Sequence, residues 1–357
     1  MSVNESLAAV SDHLFSGAIV AYSAGLFALC GDYAFGKGER RATAKAAARG
    51  RQRAIKQDTA ERSLTTVGAP ADGGSNVGLI DDGAADLLAH EPPADEPVKK
   101  STWGPRLGLL GMILAVLGLA LQVASLTARG VATERLPWGN MFEFASAICI
   151  CAVATYLVLA LSRSSRRFLG VFILPPVIGI LVIIGLNFYA EAGPVVAALR
   201  SYWLAIHVTA ATIASGILLV SAVASWLYLV KSKHEAKERE TGDYVPSRIA
   251  GNLPASGVLD RLAARTMAFA FPIWTFAIIT GAIWAEAAWG RYWNWDPKET
   301  WAFISWVVYA VYLHARATAG WKGTRAAYIN LLGAATMIFN FAIVNTVIAG
   351  LHSYSGL

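Results

Sequence analysis

A stretch of thirteen residues, 289–301, has the sequence W-G-R-Y-W-N-W-D-P-K-E-T-W. It contains four tryptophans, whereas a single amphipathic indole ring is enough to anchor a chain at a membrane boundary. Flat aromatic side chains interleaved with charged groups indicate a surface for a large, flat, apolar ligand with polar edges. Haem is such a ligand, and the tryptophans predicted to contact it are Trp289, Trp293, Trp295 and Trp301.

Histidine side chains supply the second element of such a site, because imidazole is a common axial ligand of haem iron. His207 lies in S-Y-W-L-A-I-H-V, and His352 lies in G-L-H-S-Y near the end of the chain. Both are predicted at the same membrane face as the tryptophan-rich loop. A lone histidine near a helix end is more often only hydrogen-bonded, but two that flank an aromatic loop favour axial ligation of one iron.

His314 is a third candidate ligand, at a different depth. It follows Trp301 by 13 residues, which on a straight helix places it about 20 Å from the loop. An ionisable side chain inside a membrane span is a candidate functional group. The alternative is a hydrogen bond to an asparagine of the last span. No second histidine is predicted at this depth, so an opposing iron ligand would come from another polypeptide.

The charged residues of the loop allow two interpretations. Asp296-Pro297-Lys298-Glu299 has the pattern of a helix start, with Asp at the cap, Pro at the first position and Glu at the third. Capping alone would explain both acids, although Asp296 also adjoins the predicted haem surface. Arg291 and Lys298 could pair with haem propionates, or equally with lipid phosphates.

The composition places these residues in a membrane. The chain is 55% hydrophobic and 15% charged, with a mean hydropathy of +0.47, which predicts that most apolar residues face lipid. We predict an all-α, polytopic helical bundle, because lipid-exposed backbone must satisfy its own hydrogen bonds. The eight predicted spans are about 14–35, 104–126, 141–162, 168–188, 203–230, 266–286, 301–318 and 326–347.

The basic residues predict the orientation of the bundle. Alternate loops carry 25 of the 30 Lys and Arg residues, and the loops rich in these residues should be cytoplasmic. Both termini and the tryptophan-rich loop then lie outside. The net charge of +6 thus reflects topology and requires no nucleic-acid partner.

The predicted domain organisation has three parts. Residues 1–35 contain the first transmembrane helix, and 36–103 form a cytoplasmic linker that is basic at first and then disordered, since it has too little apolar surface to offset ordering entropy. Residues 104–357 form the domain that carries the loop, 287–301. The three cysteines, Cys30, Cys149 and Cys151, fall within spans and form no C-x-x-C pair, so any thiol reduction would depend on another protein.

The loop and histidine motifs resemble the tryptophan-rich "WWD" signature of the CcsA (ResC) family, the haem-handling subunit of System II cytochrome c biogenesis. The resemblance includes Y-L-H at 312–314, G-L-H-S-Y at 350–354, W-L-A-I-H-V at 203–208 and G-N-M-F-E at 139–143. It covers roughly 104–357.

The resemblance implies a function. Such proteins act with a ResB/CcsB-type membrane subunit, as part of a cytochrome c haem-ligation (synthase) complex. They move haem b from the cytoplasmic side of the bacterial membrane and present it outside to apocytochrome c, whose C-x-x-C-H thiols add to the haem vinyl groups. A thioredoxin-like reductant would keep those thiols reduced. By this likeness, His314 corresponds to the intramembrane ligand, and His207 and His352 to the external pair.

Two alternatives remain at the level of sequence. Proteins of the CcmC or CcmF type share the WWD element but exchange haem with a separate chaperone. A haem exporter, in which the loop is a gate, is a more distant alternative.

Overall fold

The computed structural model describes residues 4–35, 103–194, 199–241, 245, 247, 249–348 and 350–352. The chain divides into two compact units, residues 1–33 with 106–357, and residues 34–105. In the second unit, only the helix ends at 34–35 and 103–105 are described. Residues 36–102 of the predicted linker therefore lie outside the described residues.

The described residues form eight long α-helices and no strand. Two short 3₁₀ turns, Ser164–Leu169 and Ala250–Asn252, complete them. The helices are α1 (Glu5–Phe35), α2 (Trp103–Ala132), α3 (Met141–Ser162), α4 (Gly170–Asn187), α5 (Tyr202–Thr241), α6 (Ser256–Trp289), α7 (Pro297–Ala317) and α8 (Thr324–Thr346). The prediction of an all-helical bundle with about eight long helices is confirmed.

Seven of the eight helices are long and apolar enough to cross a membrane. The exception is α7, whose 21 residues include Lys298 and Glu299 at one end and His314 and Arg316 at the other. Several helices exceed the predicted spans: α1 begins at Glu5 and not near 14, and α5 continues to Thr241. The apolar pattern predicts the part of each helix that can lie in lipid, whereas the helix itself extends as far as its backbone hydrogen bonds continue.

The central helix of the bundle is α5, which packs against α3, α6 and α8, while α7 packs mainly on α8. Small residues on α5, such as Ala214 and Ala224, are fully buried. Small side chains let helix backbones approach closely, which replaces the missing hydrophobic driving force in lipid.

Polar side chains join α1, α2 and α3 inside the bundle. The Tyr22 hydroxyl donates to Gln122 Oε1 at 2.8 Å, and Gln122 Nε2 donates to the Ser146 carbonyl at 3.0 Å. All three residues are buried. Buried interhelical hydrogen bonds of this kind specify which helix faces meet.

A buried charge cluster fixes the turn before α3. Glu143 is fully buried and accepts hydrogen bonds from Arg129 Nε at 2.9 Å, Arg135 Nη1 at 2.8 Å and the Gly139 amide at 2.7 Å. Asn140 Oδ1 caps α3 by accepting from the Glu143 amide at 2.9 Å. Removing one partner of such a cluster leaves a buried charge uncompensated and costs about 3–5 kcal/mol. The G-N-M-F-E segment therefore has a structural role.

Candidate functional site

The loop between α6 and α7 is shaped by the start of α7, as the sequence predicts. Asp296 is the N-cap: its Oδ2 accepts from the Lys298 amide at 3.2 Å, and Pro297 occupies the first helical position. Glu299 completes the capping box by reaching back to the Asp296 amide at 3.1 Å. The predicted helix start is confirmed.

Glu299 also closes the turn that precedes the cap. Its Oε2 accepts from the Asn294 amide at 2.9 Å, in addition to the bond from Asp296. Between them, Trp295 has a φ of +58°, a left-handed conformation that costs a non-glycine residue of the order of 1–3 kcal/mol. The capping bonds on either side hold this strained residue in place.

Asp296 makes a second set of bonds, to the segment that follows α8. Its Oδ1 accepts from the Leu351 amide at 2.8 Å, and its Oδ2 accepts from His352 Nδ1 at 2.9 Å. A Cβ at Gly350 would lie 2.7 Å from Oδ1, so only glycine permits this close approach. One carboxylate thus joins the start of α7 to the segment after α8, and capping is only part of its role.

The Asp296 side chain is buried and the His352 side chain is largely buried. Their burial and their hydrogen bonds determine their protonation states. Although burial raises the pKa of Asp296, hydrogen bonds from His352 and from the Leu351 and Lys298 amides, with the His352 charge, bring it to about 2. Burial lowers the pKa of His352 below its usual value of about 6.5, against the opposing effect of Asp296. At neutral pH the site therefore holds a carboxylate and a neutral imidazole whose Nδ1–H donates to it.

His207 is held in a similar way on α5. Its Nδ1 lies 2.7 Å from the carbonyl oxygen of Ala277 on α6, and because a carbonyl can only accept, Nδ1 carries the proton. A Cβ at Gly281 would lie 2.7 Å from the imidazole ring, so this glycine makes room for it. A bond on Nδ1 fixes the ring orientation and leaves Nε2 as the basic nitrogen, the arrangement found in metal-ligating histidines.

The indole of Trp284 lies against both imidazoles. Its ring centroid is 6.1 Å from that of His207, with planes only 8° apart, and 5.7 Å from that of His352. Trp289 lies 5.1 Å from His352. Trp284 is 3% exposed. Trp284 could not be predicted from the sequence, because it lies in an apolar helix and its spacing of five residues from Trp289 does not place the two side chains on one helix face.

A cavity of about 220 Å³ opens beside these rings, between α3, α5, α6, α7 and α8. Its walls are mainly apolar. Among the predicted site residues, four line it, namely His207, His352, Trp289 and Trp293, together with Lys298 and Trp284. Two oriented imidazoles and several flat aromatic walls around one cavity suit a planar ligand whose metal takes nitrogen ligands.

The remaining predicted loop residues lie outside the lining of this cavity. Trp295 is 64% exposed and meets Trp293 edge to face at 5.7 Å. Trp301 packs on Phe339 of α8, with centroids 4.1 Å apart. Arg291 lies in the loop itself, half-buried. Asp296 contributes through His352, as described above. The thirteen-residue motif therefore has members that face the cavity and members that hold the loop.

His314 lies near the far end of α7, and its side chain is exposed. Within the part of the chain that the structure describes, no hydrogen bond or ion pair holds its imidazole. Two residues further on, Arg316 forms a bidentate ion pair with Asp260 of α6, at 2.8 and 3.0 Å. The structure therefore separates His314 from the pair formed by His207 and His352.

Comparison with known proteins assigns the family. The model of a family described as cytochrome C assembly protein matches residues 138–352. A cytochrome c biogenesis protein CcsA from Gloeobacter violaceus is 33% identical over 299 residues, which cover 71% of this chain and 88% of the relative. The chain belongs to the cytochrome c assembly protein family. A cytochrome c biogenesis protein CcsA from Guillardia theta is 42% identical over 176 residues, which cover 47% of this chain and 58% of that protein.

The family match is consistent with both the location of the site and the fold. The family range, 138–352, contains both oriented imidazoles and the whole loop. The seven apolar helices make this a multi-pass membrane protein, and the family indicates a role in cytochrome c biogenesis, a process in which haem is handled. The resemblance drawn from the tryptophan and histidine motifs is confirmed.

Proposed function

We propose that this protein binds haem b between His207 and His352 and presents it to apocytochrome c for covalent attachment. The observation that carries the proposal is the pair of imidazoles at one end of the bundle. Each has its Nδ1 bonded to a fixed acceptor, Ala277 O or Asp296 Oδ2, and both line one cavity. Paired imidazoles of this kind are suited to hold both axial positions of a haem iron.

The walls of the cavity match the rest of the ligand. Trp284, Trp289 and Trp293 offer flat apolar surfaces, which suit a macrocycle through offset or edge contacts. The protein's contribution would be orientation and exclusion of water around the iron.

The proposed orientation puts the tryptophan-rich loop and both termini on the outer face of a bacterial cytoplasmic membrane. The loops predicted on the opposite side carry 25 of the 30 Lys and Arg residues, which supports a cytoplasmic location for them. An apocytochrome on the outer side would then reach the loop without crossing the bilayer.

The reaction at this site would join two thiols of the apocytochrome to the two vinyl groups of haem. The chain's own thiols are poorly placed to reduce the acceptor, because Cys149 is fully buried and Cys151 lies within α3. Cys30 is exposed, but it lies near the end of α1 that leads into the predicted cytoplasmic linker. A thioredoxin-like protein is therefore proposed to keep the acceptor's thiols reduced.

A ResB/CcsB-type membrane subunit is proposed as the partner at the opposite end. His314 is exposed on α7, so a histidine from a second polypeptide could reach the far side of an iron bound there. Supply of haem from this inner position would account for an imidazole that no described residue of the chain holds.

The test is to replace His207 and His352 singly by alanine in cells that express the partner and an apocytochrome. Holocytochrome should fall by more than about a hundredfold, since even the loss of a partner of a metal ligand costs about 10–100-fold. Added imidazole should restore part of it by occupying the vacated position. His13→Ala, an exposed histidine on α1, is the control.

The outcomes of this test are distinct. Normal holocytochrome in both variants would refute the ligand pair. A fall in cellular haem on expression of the chain alone, without the partner or an acceptor, would favour a haem exporter, and transfer to a soluble chaperone would favour the CcmC or CcmF type of activity.

A further inference from the structure

The inner part of the cavity contains three buried polar groups that the proposed iron site does not use. They are the indole nitrogen of Trp274, the hydroxyl of Tyr309 and the amide oxygen of Asn340. Each of these residues lines the cavity, and each is at least nine-tenths buried. Among the described residues, none of the three atoms has a hydrogen-bond partner.

The groups on Trp274 and Tyr309 lie further from the tryptophan-rich loop than the imidazole pair, and Asn340 lies about 8 Å along α8 from Asn345, which bonds Lys298. Trp274 precedes Ala277, the residue that holds His207, by about one helical turn. Tyr309 follows Glu299 on α7 by ten residues, which corresponds to about 15 Å along the helix. The cavity thus has the imidazoles towards the loop and the polar groups in its depth.

An unpartnered buried polar atom is costly, at about 1–3 kcal/mol each, so three around one cavity indicate a polar ligand group between them. The chemistry of that group follows from what they offer. The indole N–H can only donate, the phenol can donate, and the amide oxygen accepts. A carboxyl group accepts through its carbonyl oxygen and, when protonated, donates through its hydroxyl.

Haem has carboxyl groups on one half of its periphery, as two propionates, and its two vinyl groups on the other half. The thiols of an apocytochrome must reach the vinyl groups from the loop end. The propionate half then faces the depth of the cavity. We propose that Trp274, Tyr309 and Asn340 bind a haem propionate there, and so direct the vinyl groups towards the acceptor.

This inference rests on the proposed function, and it differs from the placement that the loop charges suggest. Arg291 and Lys298 could receive the propionates at the loop end instead. Lys298, however, already donates to Asn345 Oδ1, and Arg291 does not line the cavity. Among the described residues that line the cavity, the buried polar atoms without a partner are those of the three inner residues.

The experiment compares the binding of haem and of haem dimethyl ester to the purified full-length chain in a membrane mimetic. The ester keeps the iron, the macrocycle and the carbonyl oxygens, but it has neither the charge nor the hydroxyl donor of a carboxyl group. Wild type should bind haem about tenfold more tightly than the ester, because each hydrogen bond contributes a factor of about 2 to 12. The variant with Trp274→Phe, Tyr309→Phe and Asn340→Leu should bind both alike, with an unchanged bis-imidazole absorption spectrum.

Matched controls are available on α7, the helix that carries Tyr309. Trp306→Phe removes an indole that donates to Thr275, and Tyr312→Phe removes another buried phenol. Neither residue lines the cavity, so both variants should keep the preference for haem. Tyr309→Phe alone should reduce the preference about threefold, and it serves if the triple variant fails to fold.

Equal affinity of wild type for haem and its ester would overturn the inference, and so would a preference that survives in Tyr309→Phe and the triple variant. Loss of the preference in Arg291→Gln would overturn it too, because the propionates would then lie at the loop end. Failure of wild type to bind either porphyrin with a bis-imidazole spectrum is a different result, since it refutes the proposed function itself.

Discussion

The two ends of the helical bundle use the same structural device with different partners. At the loop end, Asp296 accepts bonds from the start of α7 and from His352. At the opposite end, Asp260 accepts from Arg316 and from the Gly323 amide at 3.1 Å. Each carboxylate joins segments that are distant in sequence.

The difference lies in what each carboxylate holds. A guanidinium has no lone pair to offer a metal, so the pair formed by Asp260 and Arg316 is structural. An imidazole that donates through Nδ1 keeps Nε2 as a basic nitrogen, so the pair formed by Asp296 and His352 suits the ligand role proposed for His352. His314, near Arg316, is exposed and is held by no described residue. The imidazole at the loop end is thus already oriented, whereas the site proposed at His314 would take its second ligand from another polypeptide.

The comparison is tested most severely by His314→Ala. If haem reaches the loop end through a position at His314, haem at the loop end should fall to near background in cells and holocytochrome should be lost. The loop-end ligands lie about 20 Å away, so the purified variant should still give a bis-imidazole spectrum when haem is added. Full haem content and normal maturation in cells would show that His314 is not required for the supply of haem to the loop end.

The carboxylate that holds His352 should matter next. Asp296→Asn keeps a good N-cap but removes the charge that orients the imidazole, and we expect haem affinity to fall by about 10–100-fold. Asp260→Asn is the matched control, because it breaks an equivalent junction at the opposite end. Haem titration of both purified variants measures the difference. Equal losses would mean that the effect is one of folding and not of ligand orientation.

The pH dependence of haem binding should reflect the buried imidazole. Because burial lowers the pKa of His352 below about 6.5, the ligand is neutral at pH 7, and affinity should be constant between about pH 8 and 6.5. Below its pKa, protons compete with iron, and affinity should fall up to about tenfold per pH unit. Asp296 raises the pKa of His352, so Asp296→Asn should shift this acid limb to lower pH. A shift to higher pH would show that another group titrates.

The smallest effects should come from the tryptophans, and they should be unequal. Trp293 lines the cavity and Trp295 does not, so Trp293→Ala should weaken haem binding about threefold to tenfold, the worth of an aromatic contact. Trp295→Ala should change it by less than about twofold. Trp321, at the opposite end, is the control. The result is read from the haem that copurifies, and equal occupancy in all three variants would make the loop a membrane anchor.

The sequence predicted the parts of the site that depend on local pattern. The start of α7 follows from Asp296, Pro297 and Glu299, because capping is decided within four residues. The helix count follows from apolar runs of suitable length. The candidate ligands His207 and His352 follow from their proximity to helix ends and aromatic residues.

What could not be predicted depends on which faces of the helices meet. Trp284 lies against both imidazoles only because α6 packs on α5. Similarly, nothing local distinguishes Trp293, which faces the cavity, from Trp295, which is exposed. The partner of His207 is a backbone carbonyl 70 residues away in the chain. Every residue has such a carbonyl, so residue types do not reveal which one accepts the hydrogen bond.

The two imidazoles differ in how firmly the chain anchors them. His207 is part of a 40-residue helix, whereas His352 lies beyond the last helix and is bound through a side-chain carboxylate. Such a pair resembles a hemilabile chelate, in which one donor stays fixed while the other exchanges. A histidine arriving with the acceptor protein should therefore displace His352 first.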